Sequence, residues 1–221
     1  MTVLLFWLNI RLDQKIFNLD RTEKFKRKIA FDLSLVIMVA GFIGGRALHI
    51  FYEEWFYYLV YPQEIFKFWK GGFVYYGGWL SSFMCAWIFL RSKNQRLLPW
   101  ADFFTPLLSL GYALGRVACY FEGCCYGTTR IPLQLIMVFC ELVLLAAVLL
   151  LEKQRKFKTS GSLFFFWVLI HAATRFVIEF YRADDRGKLI FETLSVSQVI
   201  SLALIFVVFF HLASKKFKRN S

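Results

Sequence analysis

Six long apolar stretches constrain this 221-residue chain more than any other feature. They lie at about 31–51, 72–90, 103–121, 131–151, 162–181 and 194–213. Crossing a bilayer core takes roughly 20 apolar residues, and each stretch is about that long. The composition agrees, at 58% hydrophobic and 20% aromatic residues with a mean hydropathy of +0.53. No segment is long enough for a separate soluble domain, and no internal repeat is visible. An all-α polytopic membrane protein is expected, with about six transmembrane helices in one integral-membrane domain over 1–221. Residues 2–10 are apolar, but no basic region precedes them and no small-residue cleavage site follows. They do not read as a cleavable signal peptide.

A net charge of +12 would suggest nucleic acid in a soluble protein. Here 24 of the 27 Lys and Arg lie in connections or tails, so the positive-inside rule accounts for them and no nucleic-acid partner is expected. Residues 11–29 carry seven Lys/Arg, 52–71 two, 91–102 three, 122–130 one, 152–161 four, 182–193 three and 214–221 four. High and low alternate at each crossing. Cytoplasmic ends are therefore predicted, with 52–71, 122–130 and 182–193 outside.

The other three cations, Arg46, Arg116 and Arg175, lie inside apolar stretches. An unpaired cation in hydrocarbon costs at least about 2.5–3.5 kcal/mol, so such residues usually face a bundle interior and serve a site. Counting helix rise places all three roughly 20 Å from the cytoplasmic edge of a core about 30 Å thick. Tyr76 falls a few residues below the outer surface. Glu179 is one turn beyond Arg175 on the same helix face. Guanidinium forks grouped near the outer headgroups suit a phosphate, so an anionic lipid is the expected ligand.

The apolar segments carry motifs in a fixed order. Gly44-Gly45-Arg46-Ala47-Leu48-His49 comes first, then Gly71-Gly72-Phe73-Val74-Tyr75-Tyr76-Gly77-Gly78. Asp102-Phe103 and Pro106 follow. Next is Gly115-Arg116-Val117-Ala118-Cys119-Tyr120-Phe121-Glu122-Gly123-Cys124-Cys125-Tyr126-Gly127. Last are Arg175-Phe176-Val177-Ile178-Glu179-Phe180-Tyr181-Arg182 with Asp184-Asp185, and Leu194-Ser195-Val196-Ser197-Gln198. Over about 30–213 this series resembles the bacterial prolipoprotein diacylglyceryl transferases. The resemblance implies a multi-pass enzyme of the bacterial inner membrane with its active site towards the outer leaflet. It implies transfer of a diacylglyceryl group from phosphatidylglycerol to the lipobox cysteine thiol of a preprolipoprotein, the first step of lipoprotein maturation, without a cofactor. Arg116, Arg175 and Tyr76 are then expected to be catalytic. Arg46, Gly77, Gly78, Glu122, Cys119, Cys124, Glu179 and Arg182 are expected to bind substrate.

The match departs from the family pattern at several positions. Tyr76 stands where the family's best-known form has the histidine of His-Gly-Gly. In the signature Gly-Arg-x-x-Asn-x-x-Asn-Gly-Glu, Cys119 and Glu122 replace the asparagines and Cys124 the glutamate. The family also has a first transmembrane helix bearing a Tyr-Gly pair. Residues 2–12 could represent only its end, so that helix is expected to be missing or truncated. Together these replacements favour an alternative, a non-catalytic or differently specific relative that binds anionic phospholipid or lipoprotein as a partner or scaffold. Several residues also have structural readings. Arg46 could snorkel or pair with Glu53 or Glu54, and Glu179 could simply neutralise Arg175. Gly77 and Gly78 could serve close helix approach. His171, one turn before Arg175, could reach the same pocket. Cys119, Cys124 and Cys125 could form a disulfide or remain free. A metal would need about four ligands, which these cysteines and Glu122 could barely supply, so none is expected.

Overall fold

A computed structural model defines the fold and describes residues 23–127, 132–154, 156–157, 159–183 and 194–220. The long helices are α1 (Glu23–Leu48), α3 (Tyr75–Ser92), α4 (Leu97–Phe121), α5 (Leu133–Lys153), α6 (Ser162–Ile178) and α7 (Val196–Asn220). A π-helical turn, His49–Glu53, extends α1, and the short helix α2 (Trp55–Val60) follows it. Two 3₁₀ turns, Pro62–Phe66 and Phe68–Lys70, lead to α3. Among the described residues the β structure is one isolated bridge between Gly127 and Arg182.

Every expected apolar stretch forms a helix. Four spans, Lys28–Tyr52, Leu133–Lys153, Ser162–Tyr181 and Val196–Ser214, are long and apolar enough to cross a bilayer by length and composition. Helices α3 and α4 carry more polar and small residues for their length, among them Gly77, Gly78, Ser81 and Ser82 in α3. Helix α4 begins at Leu97, ahead of the apolar run. Pro99 lies in its first turn, where a missing N–H costs nothing. Large side chains such as Phe139, Phe206 and Phe210 are exposed, as suits helices surrounded by lipid.

The chain forms two compact units that meet in sequence at Leu97 and Leu98. In the first, α1 and α3 are packed along most of their length by small residues. A Cβ at Gly77 would collide with the Gly44 carbonyl and with Leu48, and one at Gly78 would meet the Gly41 carbonyl at 2.9 Å. Ser81 donates to Ala40 O (2.9 Å) and Ser82 to Ile37 O (2.8 Å), so hydroxyls bridge the backbones where apolar burial against lipid offers little drive.

In the second unit α6 packs against α5 and α7. Leu133, Met137 and Ile178 form one core cluster, and Leu144, Val148 and Leu163 another. Asp102 fixes the start of α6 from another helix. Its carboxylate accepts from Gly161 N (2.6 Å) and Phe164 N (2.8 Å), N–H groups that a helix start leaves unpaired. Helix α7 starts with a capping box. Ser195 Oγ accepts from Gln198 N (3.2 Å), while Gln198 Oε1 accepts from Ser195 N (2.9 Å).

The contact between α1 and α3 has a direct test. Gly77→Ala must push the two backbones apart, and overpacking of this kind costs about 1–3 kcal/mol. The thermal midpoint of the detergent-solubilised protein should fall. An unchanged midpoint would show that the close approach is dispensable.

Candidate active site

The three intramembrane arginines share one local feature, since each lies in the last turn or two of its helix: Arg46 in α1, Arg116 in α4 and Arg175 in α6. A helix C-terminus carries partial negative charge, which favours a cation there. Their side chains then differ in what they meet.

Arg46, in the first unit, is buried and held by backbone carbonyls. Nε donates to Ile65 O (3.3 Å) and Nη2 to Glu64 O (2.8 Å). Nη1 donates to both Gly71 O and Gly72 O. The guanidinium also lies 5.3 Å from the Tyr58 ring centre and 5.9 Å from that of Phe73. Gly71 and Gly72 have φ of 84° and 78°, a region costly for side-chain-bearing residues. A Cβ on Gly72 would also strike Arg46 and His49. Arg46 thus fastens the 61–72 connection to the end of α1. Gly77 and Gly78 lie on the face of α3 that meets α1. Tyr76 is in the first turn of α3, and its side chain lies outside the described residues.

The second unit gathers the other expected residues around Glu179. This carboxylate is buried, with Oε2 2.8 Å from Arg175 Nη2 and 3.4 Å from Arg182 Nη1. Its Oε1 accepts from Ser195 Oγ at 3.0 Å, so the hydroxyl that caps α7 also holds Glu179. Arg175 Nη2 donates to Ser197 Oγ at 3.1 Å. One side of the Arg175 fork is therefore fixed. Nη1 is buried and has no hydrogen-bond partner among the described residues. Arg116 places its guanidinium carbon 4.9 Å from the centre of the Tyr112 ring, one turn earlier on α4. The charged groups of Glu179, Arg116 and Arg182 lie near enough to Arg175 to interact with it.

A small cleft of about 10 Å³, room for about one water, lies beside these groups. Tyr112, Met137, Glu141, His171, Thr174, Arg175 and Ile178 line it. It is far smaller than the roughly 300–1,000 Å³ of most small-molecule pockets, so a phosphate would enter only as the lining side chains move apart. Sequence reasoning missed Tyr112 and Glu141. Glu141 did carry a usable signal, an ionisable residue in the middle of an apolar span.

The 122–127 turn is tied to the segment that follows α6 and to the start of α5. Ala183 N donates to Tyr126 O (3.1 Å), and Gln134 Nε2 donates to Cys124 O (2.6 Å). Glu122 is exposed in this turn. The sulfurs of Cys119, Cys124 and Cys125 lie within 4.8 Å of one another, and all three cysteines are free. Burial of the sulfur pushes the Cys124 thiol up to about 12, helped by hydrogen bonds with Cys125 and Cys119. The residue as a whole is nevertheless exposed. A raised value keeps the thiol neutral until the pH nears that value, and the neutral thiol is a poor nucleophile. At pH 8.5, near the ordinary cysteine value, iodoacetamide should label Cys124 at least about tenfold more slowly in the folded protein than in the denatured chain. Equal rates would show that the cluster leaves this thiol unperturbed.

Comparison with known proteins bears on this arrangement. A family model described as prolipoprotein diacylglyceryl transferase matches residues 1–214. A phosphatidylglycerol–prolipoprotein diacylglyceryl transferase of Clostridium tetani is 28% identical, covering 91% of this chain and 88% of its own. A protein of that name from Cupriavidus metallidurans is 30% identical, covering 75% of this chain and 67% of its own. In Clostridium perfringens a protein with the same name, numbered 2, is 29% identical over 79% of this chain and 74% of its own.

Proposed function

The chain belongs to the prolipoprotein diacylglyceryl transferase family, and we propose that it moves the diacylglyceryl group of phosphatidylglycerol to the lipobox cysteine thiol of a preprolipoprotein. One observation carries the reading to particular atoms. Arg175 is clamped through Nη2 while the buried Nη1, beside the cleft, has no hydrogen-bond partner among the described residues. A phosphate oxygen there would satisfy the fork, with Arg116 supplying a second guanidinium.

The reaction breaks the bond between a glycerol carbon and a phosphate oxygen, so negative charge gathers on the departing phosphate. Cations held in place before the reaction stabilise that charge without reorganising. In this reading Arg116 and Arg175 bind the phosphate. Glu179 keeps Arg175 aimed and partly neutralised, and Arg182 helps hold Glu179. Arg46 acts as a strut for the 61–72 connection, and Gly77 and Gly78 allow α3 to approach α1. Tyr76 hydrogen-bonds the lipid's glycerol or ester oxygens. Cys119, in the last turn of α4, and Glu122 and Cys124, in the turn that follows, lie near the entry of the acceptor. The family match and the names of the similar proteins support an active transferase over a non-catalytic lipid-binding relative.

Charge alternation along the chain supports a multi-pass protein with cytoplasmic tails, and family membership supports the bacterial inner membrane with the site in the outer leaflet. Cysteines introduced at Ser160 and Lys188, in a background lacking the native cysteines, should be labelled from opposite sides of the membrane. Labelling of both from one side would reverse part of the topology.

The assay for the function is transfer from labelled phosphatidylglycerol to a lipobox peptide. Arg116→Ala should lower the rate by about 10²–10³, as removal of one charge-stabilising donor does, while the protein remains folded in the membrane. Arg116→Lys should restore little, because an ammonium lacks the planar fork. Full activity in Arg116→Ala would remove this residue from the mechanism.

A further inference from the structure

The phosphate grip leaves one polar assembly in the cleft unused. Glu141 is buried in the middle of α5, and three donors converge on its carboxylate. Oε1 accepts from Ser109 Oγ (2.9 Å) and from Trp167 Nε1 (2.7 Å), while Oε2 lies 2.8 Å from His171 Nδ1. This is how an ionised carboxylate, which can only accept, is satisfied. The bond assigns the Nδ1 proton to the side facing Glu141 and leaves Nε2 as the ring's acceptor. The imidazole is also fixed by its neighbours. It stacks on Trp167 (4.9 Å between centres, 22°) and meets the edge of Tyr112 (4.5 Å, 88°). His171 and Arg175 are four residues apart on α6, and both line the cleft.

A carboxylate behind an imidazole that stands beside a bound electrophile is the arrangement of an oriented general base. We propose that His171 is the base that deprotonates the acceptor thiol, with Glu141 as its positioning residue. The proposal rests on reading the cleft as the transferase site. The lipobox S–H gives its proton to His171 Nε2, and the sulfur electron pair forms the new bond to the glycerol carbon. The bond from that carbon to the phosphate oxygen breaks, and its electron pair leaves on glycerol phosphate held by Arg175 and Arg116. The imidazolium, stabilised by Glu141, then returns its proton to the departing phosphate or to water. Such a base typically contributes about 10²–10⁴ in rate. This role would give the chain an imidazole on α6, within reach of the phosphate-binding fork, although position 76 on α3 is a tyrosine.

A purely structural Glu141–His171 pair would look the same at rest, so the test must separate the roles. Transfer from labelled phosphatidylglycerol is measured with the full chain and two acceptors, a lipobox peptide with its cysteine and the same peptide with selenocysteine. A selenol is already ionised at neutral pH and needs no base. His171→Gln should lose about 10²–10⁴ in rate with the cysteine peptide and less than about tenfold with the selenocysteine peptide. Equal losses on both peptides, or full activity on the cysteine peptide, would overturn the proposal. If His171→Gln does not accumulate in the membrane, Glu141→Gln carries the same test. It should depress the cysteine rate several times more than the selenocysteine rate, and an unchanged ratio would count against the base. No transfer to either peptide by the unaltered protein would overturn the transferase reading itself, and the base with it.

Discussion

A guanidinium in an apolar surround must have its donors answered, and much of the polar architecture in this chain follows from that demand. Arg has five N–H groups and cannot shed its charge. Arg46 meets backbone carbonyls, which requires the 61–72 connection to turn its oxygens inwards. That in turn requires positive φ at Gly71 and Gly72. Arg175 meets Glu179, whose other oxygen is satisfied by Ser195, the residue that also caps α7. One intramembrane cation thereby fixes the approach of another helix.

The two solutions have different consequences. Carbonyls carry no net charge, so they leave the charge of Arg46 unpaired while each of its three nitrogens is bonded within the first unit. A carboxylate offsets charge but occupies only part of the fork, so Arg175 retains a donor that faces no acceptor among the described residues. A buried donor without a partner costs roughly 1–3 kcal/mol, which a bound acceptor would recover. Similar residues at similar positions in their helices can therefore be a strut in one unit and a binding group in another.

The helices were legible because length and continuous apolarity are local properties of the chain. The pairing of Arg175 with Glu179 was legible for the same reason, since i,i+4 spacing defines a helix face. Arg46 shows where this stops. Its partners lie 18 to 26 residues away and are main-chain oxygens, which carry no residue-type signal. Ser195 and Gln198 were visible as a motif, but their link to Glu179 depends on how α7 is set against α6. Glu141 was missed for another reason. Unlike Glu179 it has no cation one turn away on its own helix, so only its position in the middle of an apolar span marks it.

Charge balance in the second unit bears on which lipid suits the site. Three guanidiniums, Arg116, Arg175 and Arg182, accompany two buried carboxylates, Glu141 and Glu179. Three guanidiniums against two carboxylates leave the cluster with one positive charge. A phosphodiester with an uncharged head neutralises it, whereas a zwitterionic headgroup would bring a second cation into a region already short of anions. At an effective dielectric of about 20, two like charges 4 Å apart repel by about 4 kcal/mol, which is enough to discriminate between headgroups. The balance shifts in the same direction as the reaction proceeds. The phosphodiester becomes a monoester able to carry a second negative charge, and the proton removed from the thiol places a second positive charge on His171. The imidazolium between Glu141 and the departing phosphate then compensates charge at the moment it forms, so the dyad and the arginine grip act on one developing charge.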